Sequence, residues 1–167
     1  MPVDLSRLAD PVLRHLYRAL ARRSFFGESG RAMVAWAGEA LSAGWDTGPL
    51  RILAGLDEPP NEFEIGRCLG ETMKSLGLEM PDTDDLVSTA AFIVASDLVS
   101  GTTPPRVGCE ELSRLCSATG YRENLMPFYT AEEAYSLAEN GVYGTAQDVT
   151  AAVLDDARRL VESFTLR

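Results

Sequence analysis

Residues 82–101 read Asp-Thr-Asp-Asp-Leu-Val-Ser-Thr-Ala-Ala-Phe-Ile-Val-Ala-Ser-Asp-Leu-Val-Ser-Gly. Carboxylates crowd the head of this stretch, where negative charge suits a helix N-terminus, and a glycine follows its foot. Between them Leu86 to Val99 is apolar around most of a helical circumference. A helix of that kind belongs at the centre of a bundle, because no face of it is polar enough to be the solvent side. Ser88, Thr89, Ser96 and Asp97 interrupt the run, so it falls short of the roughly 18 to 20 apolar residues of a membrane span. The stretch therefore predicts a buried helix of an all-α protein.

The flanking sequence repeats the same punctuation. Upstream, Asp10-Pro11 is an N-cap followed by a proline suited to the first helical position, and Leu13, Leu16, Tyr17 and Leu20 give one apolar face. Ser24 to Gly30 reads as a loop carrying Phe25 and Phe26. A second helix is expected over 30–42, burying Met33, Trp36, Ala37, Ala40 and Leu41 and stopping at Gly44. A short third helix carries Leu50, Leu53 and Ala54, with Gly55 as a left-handed stop. Asn61 and Glu64 have the spacing of a capping box, and Phe63, Cys68, Leu69, Met73 and Leu76 form the stripe of the fourth helix up to Gly77.

Downstream, three more helices are expected: from Val107 or Cys109 to Thr119, from Thr130 to Asn140 opening on a Thr130/Glu133 capping box, and from Thr145 to Phe164. The loops lie near 24–30, 77–82, 101–106 and 120–129. The fold expectation is a single-domain, all-α bundle of about eight short to medium helices with no sheet. Period-2 alternation is scarce, and no repeat of fixed period suggests a solenoid. Pro81 and Pro104-Pro105 mark the candidate internal boundaries, but the helices between them are too few for separate cores, so one domain over 1–167 is expected.

One segment is familiar: Trp36-Ala37-Gly38-Glu39-Ala40-Leu41-Ser42-Ala43-Gly44-Trp45-Asp46, then Leu50-Arg51-Ile52-Leu53-Ala54-Gly55-Leu56. It resembles a segment of uncharacterised bacterial all-helical proteins, W-x-x-E-x-L-x-x-G-x-D followed by L-R-x-L-A-G-L. The resemblance implies a helical fold and brings no activity and no catalytic residue. Physically the segment reads as two helices joined by a tight turn: Trp36 anchors, Gly44 permits the turn, and Arg51 can pair with Asp46 or Glu39.

Composition bounds the function. The 167 residues carry a formal charge of −10, with 46% apolar and 24% charged side chains, which is globular rather than disordered. Residues 1–31 hold six arginines against three acids, and the rest holds nine basic and 22 acidic groups. Such a balance disfavours nucleic acid, whose phosphates demand clustered Lys and Arg, and favours either a basic protein partner or mere solubility. Arg14, Arg18 and Arg22 form one basic stripe, which together with Phe25 and Phe26 could face a partner or the chain's own acidic body. The N-terminal residues lack the pattern of a signal peptide, and three cysteines make a disulfide framework improbable, so a reducing, cytoplasmic setting and no membrane are expected.

Catalytic chemistry has little to work with. His15 is the one histidine, Cys68, Cys109 and Cys116 lack zinc spacing, and adjacent carboxylate pairs such as Glu132-Glu133 diverge by about 100° on a helix. No phosphate-binding glycine loop and no cofactor motif is present, so neither catalytic nor metal residues are assigned. Asp97 stands apart because it sits in the most apolar helix: facing inward it would need a partner, facing outward it is an ordinary polar position. The expectation is a non-catalytic protein-binding domain, of immunity or inhibitor type with an acidic face for a basic partner, or a self-associating one. The alternative is an enzyme or small-molecule binder whose inter-helical pocket draws on Asp97, His15, Tyr121, Tyr129 and Tyr135.

Overall fold

A computed structural model describes residues 5–57, 61–142 and 144–165. Among these the chain forms eight α-helices and two short 3-10 turns, with no strand, in agreement with the all-α expectation. It divides into two compact units, Met1–Leu86 and Val87–Arg167, with the division just inside α5, beside the Pro81 loop.

The first unit is built by caps that the sequence announces. Asp10 accepts the Val12 N–H at 2.8 Å and opens α1 (Pro11–Phe26), whose buried face carries Leu13, Leu16, Tyr17 and Leu20. The loop expected from Ser24 is instead the last turn of this helix, which continues until Gly27 (φ +64) supplies the left-handed residue that ends it. Phe25 and Phe26 are half-buried on that turn, because aromatic residues do not stop a helix and glycine does.

Helix α2 (Arg31–Ser42) packs on α1 through Met33, Trp36, Ala37 and Ala40, and the fully buried Trp36 donates its indole N–H to the Val12 carbonyl at 2.9 Å. Thr47 caps α3 (Gly48–Ala54) by accepting the Leu50 N–H, and Arg51 chooses Asp46 over Glu39, its Nε donating to Oδ1 at 2.6 Å. Gly55 is not left-handed as expected; at φ −96 it bonds back to the Arg51 and Ile52 carbonyls, so the turn tightens rather than reverses hand.

Asn61 caps α4 (Glu62–Ser75) through the Phe63 N–H at 2.9 Å, and Gly77 (φ +65) follows its end. The buried face of α4 is Ile65, Cys68, Leu69, Thr72 and Met73, and it packs on α3. Phe63, expected in that stripe, is 83% exposed, because it lies on the side of the helix opposite the buried face.

In the second unit α5 (Thr83–Ser100) is the all-round apolar helix read from sequence, with Val87, Ala91, Ile93, Val94, Ala95 and Leu98 buried. Asp97 is buried with them, at 8% exposure. Helix α6 (Pro105–Ala118) starts earlier than expected, at the proline itself, which fits the first helical turn. Its Gly108 lies so close to α5 that a Cβ there would stand 2.6 Å from Leu98 Cγ.

A 3-10 turn, Glu123–Leu125, runs directly into α7 (Met126–Glu139), so most of the loop expected at 120–129 is helical. The Thr130/Glu133 capping box is therefore not one: the Thr130 hydroxyl donates to the Met126 and Pro127 carbonyls from inside the helix. A genuine box opens α8 (Ala146–Thr165), where Thr145 Oγ1 accepts the Asp148 N–H and Asp148 Oδ2 accepts the Thr145 N–H, each at 3.2 Å. Helix α7 packs against both α6 and α8, burying Phe128, Tyr135, Val153, Ala157 and Leu160.

Candidate functional site

The sequence candidates fall into separate places. His15, on α1 of the first unit, has its Nδ1 2.5 Å from Glu39 Oε2 on α2, a polar tie between two packed helices with a half-exposed ring. Arg14, Arg18 and Arg22 are half-buried and none is a free cation, so the basic stripe is engaged within the chain.

Asp97, Tyr121, Tyr129 and Tyr135 belong to the second unit. Tyr121 and Tyr129 stack edge to face with ring centroids 5.2 Å apart, and both are exposed. Tyr121 follows Gly120 in the left-handed region (φ +59), a conformation that costs a non-glycine residue about 1–2 kcal/mol. The Tyr129 phenol is raised above its ordinary value, first by its hydrogen bond to Tyr121 and also by the nearby Glu133 carboxylate. Glu123 and Glu133 are exposed, and Arg122 is half-buried.

Tyr135 lies on another face of α7, in a polar cluster that sequence reading missed. Its hydroxyl is 2.9 Å from Thr150 Oγ1 on α8, and the Arg106 guanidinium from α6 sits 4.8 Å from its ring centroid. Arg106 also reaches Glu132 at 3.3 Å and Glu139 at 3.7 Å. A helix opening at Thr130 would put Glu132 in its first turn; because α7 begins at Met126, Glu132 lies a turn deeper, where it meets Arg106. Burial, with Glu132 adding to it, pushes the Cys109 thiol up to about 12. At neutral pH such a thiol is protonated and a poor nucleophile. The cluster ties α6, α7 and α8 together.

A groove of about 460 Å³ runs between α7 and α8, lined chiefly by Pro127, Ala131, Ala134, Val149 and Ala152, with Asp148 and Asp156 also in its wall. None of the five sequence candidates lines it. All three cysteines are free and buried, and among the described residues no group of three or more His, Cys, Asp or Glu side chains could hold a metal ion. No described helix is long and apolar enough to cross a membrane.

No protein family, curated protein or solved structure matches the chain.

Proposed function

We propose that this chain is a non-catalytic protein-binding domain that engages a basic partner, in the manner of an immunity or inhibitor protein. The observation that carries this reading is the exposed Tyr121–Tyr129 pair, held edge to face by a left-handed backbone at Tyr121 and flanked by Glu123 and Glu133. Tyrosine offers a large contact area at small entropic cost, which makes it a frequent interface anchor. Its ring faces attract Lys and Arg, and the neighbouring carboxylates add Coulombic attraction for the same groups. With 25 acidic against 15 Lys and Arg residues the chain carries a formal charge of −10, which would steer a cationic partner towards the domain. The free, buried thiols fit the reducing compartment in which such a partner would be met.

The test is a native pull-down from source-cell lysate with the wild-type chain and a Tyr121→Ala/Tyr129→Ala variant side by side, at low and high salt. A stoichiometric basic protein, lost at high salt and lost from the variant, is the expected result. A partner indifferent to both changes, or no partner at either salt, overturns the proposal.

The α7–α8 groove favours a second reading, a small-molecule site. Its volume lies within the roughly 300–1,000 Å³ of ligand pockets, and its apolar walls with two carboxylates suit an apolar ligand bearing an amine. A thermal-shift screen of hydrophobic amines would decide it: stabilisation lost on Ala152→Trp supports the site, and none across the series removes it.

A further inference from the structure

Helix α4 carries a face that nothing in the described chain occupies. Phe63, Arg67, Gly70 and Lys74 follow one another at spacings of four, three and four residues, which aligns them in a single seam opposite Ile65, Cys68, Leu69 and Thr72. All four are exposed, Phe63 at 83%. Beside the seam is Gly66, also exposed. Glycine weakens a helix interior relative to alanine and usually has a packing reason there. Here the packing reason is absent within the chain: a Cβ at Gly70 would meet nothing within 4 Å, and one at Gly66 would only touch the Arg23 guanidinium at 4.0 Å.

The charges along this face say what would fit it. If a second α4 lies antiparallel about the helix midpoint, between Cys68 and Leu69, Phe63 comes opposite the second copy's Lys74, and Arg67 opposite its Gly70. Each Phe63 ring can then rest on an aliphatic lysine stem and in the space left by Gly70. The two-fold axis brings the Glu64/Glu71 flanks of the two helices to the same side, where each Glu71 lies beside the other copy's Arg67 and each Glu64 beside its Lys74. Arg67 already pairs with Glu71 in its own helix at 3.1 Å, so the two pairs would merge into a four-membered alternating network across the axis. A parallel arrangement would instead set Arg67 against Arg67 and Lys74 against Lys74. The face is complementary to itself in one orientation only, which is the property of a two-fold interface.

We infer that the outer face of α4 is a self-association surface, joining two copies of this chain through an antiparallel α4–α4 contact centred between Cys68 and Leu69. The helix has 14 residues, about 21 Å of contact at 1.5 Å per residue, so the interface is at the small end and the dimer is weak. This surface lies in the first unit, and it stands independently of the Tyr121–Tyr129 proposal.

Sedimentation equilibrium of the full chain, from about 5 μM to about 500 μM, tests it; association over that range spans the micromolar affinities of small interfaces. A monomer–dimer equilibrium is expected, weakened at least about tenfold by Phe63→Ala, the loss of roughly 1.4 kcal/mol that a large apolar anchor supplies. Gly70→Leu should weaken it as well, by filling the hole. Both positions are exposed, and circular dichroism with thermal melts confirms that each variant is folded. Arg67→Glu should weaken the dimer, and Arg67→Glu with Glu71→Arg should restore it. A monomer at every concentration, or a dimer indifferent to Phe63→Ala and Gly70→Leu, overturns the surface. A double swap that fails to restore association overturns the antiparallel register.

Discussion

Helices α4 and α6 are both 14 residues long and both contain glycine, yet the glycines do opposite things. In α6, Gly108 is buried, and the space where its side chain would stand is filled by Leu98 of α5. In α4, Gly66 and Gly70 face outward with room to spare, while on the inner side of the same helix Ile65 fills the space of Gly30. The residue type and secondary structure are the same; only the neighbour differs. A glycine whose missing side chain is occupied by the protein itself serves the fold. One whose space stays empty is a candidate for contact with something else.

Gly108→Ala should give the largest effect. Its Cβ would stand 2.5 Å from Leu98 Cδ2, 2.6 Å from Cγ and 3.0 Å from Cδ1, so no rotation about the last bond clears the clash. Overpacking costs about 1–3 kcal/mol and the alanine returns about 1 kcal/mol of helix propensity; with three Leu98 atoms in the way the cost lies towards the upper end, a net loss of up to about 2 kcal/mol. Urea denaturation would show it, and an unchanged midpoint would mean that α5 and α6 are not so closely packed.

Gly30→Ala should cost less, about 1 kcal/mol. The sharpest contact is with the end of a side chain, Ile65 Cδ1 at 1.8 Å, while Cγ1 is at 3.1 Å, so turning the terminal methyl relieves most of it. Ile65 is fully buried, which limits where that methyl can go. A cost equal to or above that of Gly108→Ala would show that this part of the core is the more rigid one.

Gly70→Ala should change sign. With nothing within 4 Å of the new Cβ, helix propensity acts alone and stability rises by about 0.8–1 kcal/mol. The measurement belongs at low micromolar protein, where self-association makes no contribution. Destabilisation there would reveal an occupant of this face within the chain and would end the contrast between the two helices.

How much of this was legible in the sequence follows the range of the interactions involved. Asp10, Asn61 and Thr145 are caps, each settled by bonds to N–H groups two or three residues away, and the sequence carries all that is needed to place them. Thr130 shows the limit of the same reasoning. A threonine followed three residues on by a glutamate is also a common helix interior, and the start of α7 is decided by the turn at Glu123–Leu125 and by Pro127. Phe63 went astray because size was allowed to outweigh phase: a stripe of Ile65, Cys68, Leu69, Thr72 and Met73 has the better helical period. The Arg106–Glu132–Tyr135–Thr150 cluster was invisible because it joins three helices, and no local pattern says which faces of three helices will meet. The exposed tyrosines were named from residue type alone, whereas their pairing depends on the left-handed turn at Tyr121.

The smallest expected effect concerns how α4 is tied at its start. Glu62 Oε1 accepts the Gly30 N–H at 2.7 Å, and Oε2 accepts from Arg23 Nε at 3.1 Å. Both contacts favour the ionised carboxylate, the Gly30 bond foremost, and they hold Glu62 below its ordinary value near 4.5 despite some desolvation. A carboxylate depressed in the folded state stabilises the protein above its unfolded value. That contribution fades as pH falls through the ordinary value and then through the depressed one. Glu62→Gln removes the charge but keeps an acceptor, and with the side chain 55% exposed, solvent screening limits the loss at pH 7 to below about 1 kcal/mol. The gap between wild type and variant should be widest near neutral pH and close as the pH falls below the ordinary carboxylate value and the wild-type carboxylate protonates as well. Asp46, held low by Arg51, gives both proteins the same acid-sensitive background and cancels in the difference. If the gap instead stays constant through that range, the tie between α4 and Gly30 is one of shape, and the close approach of Gly30 to Ile65 holds the two together without help from charge.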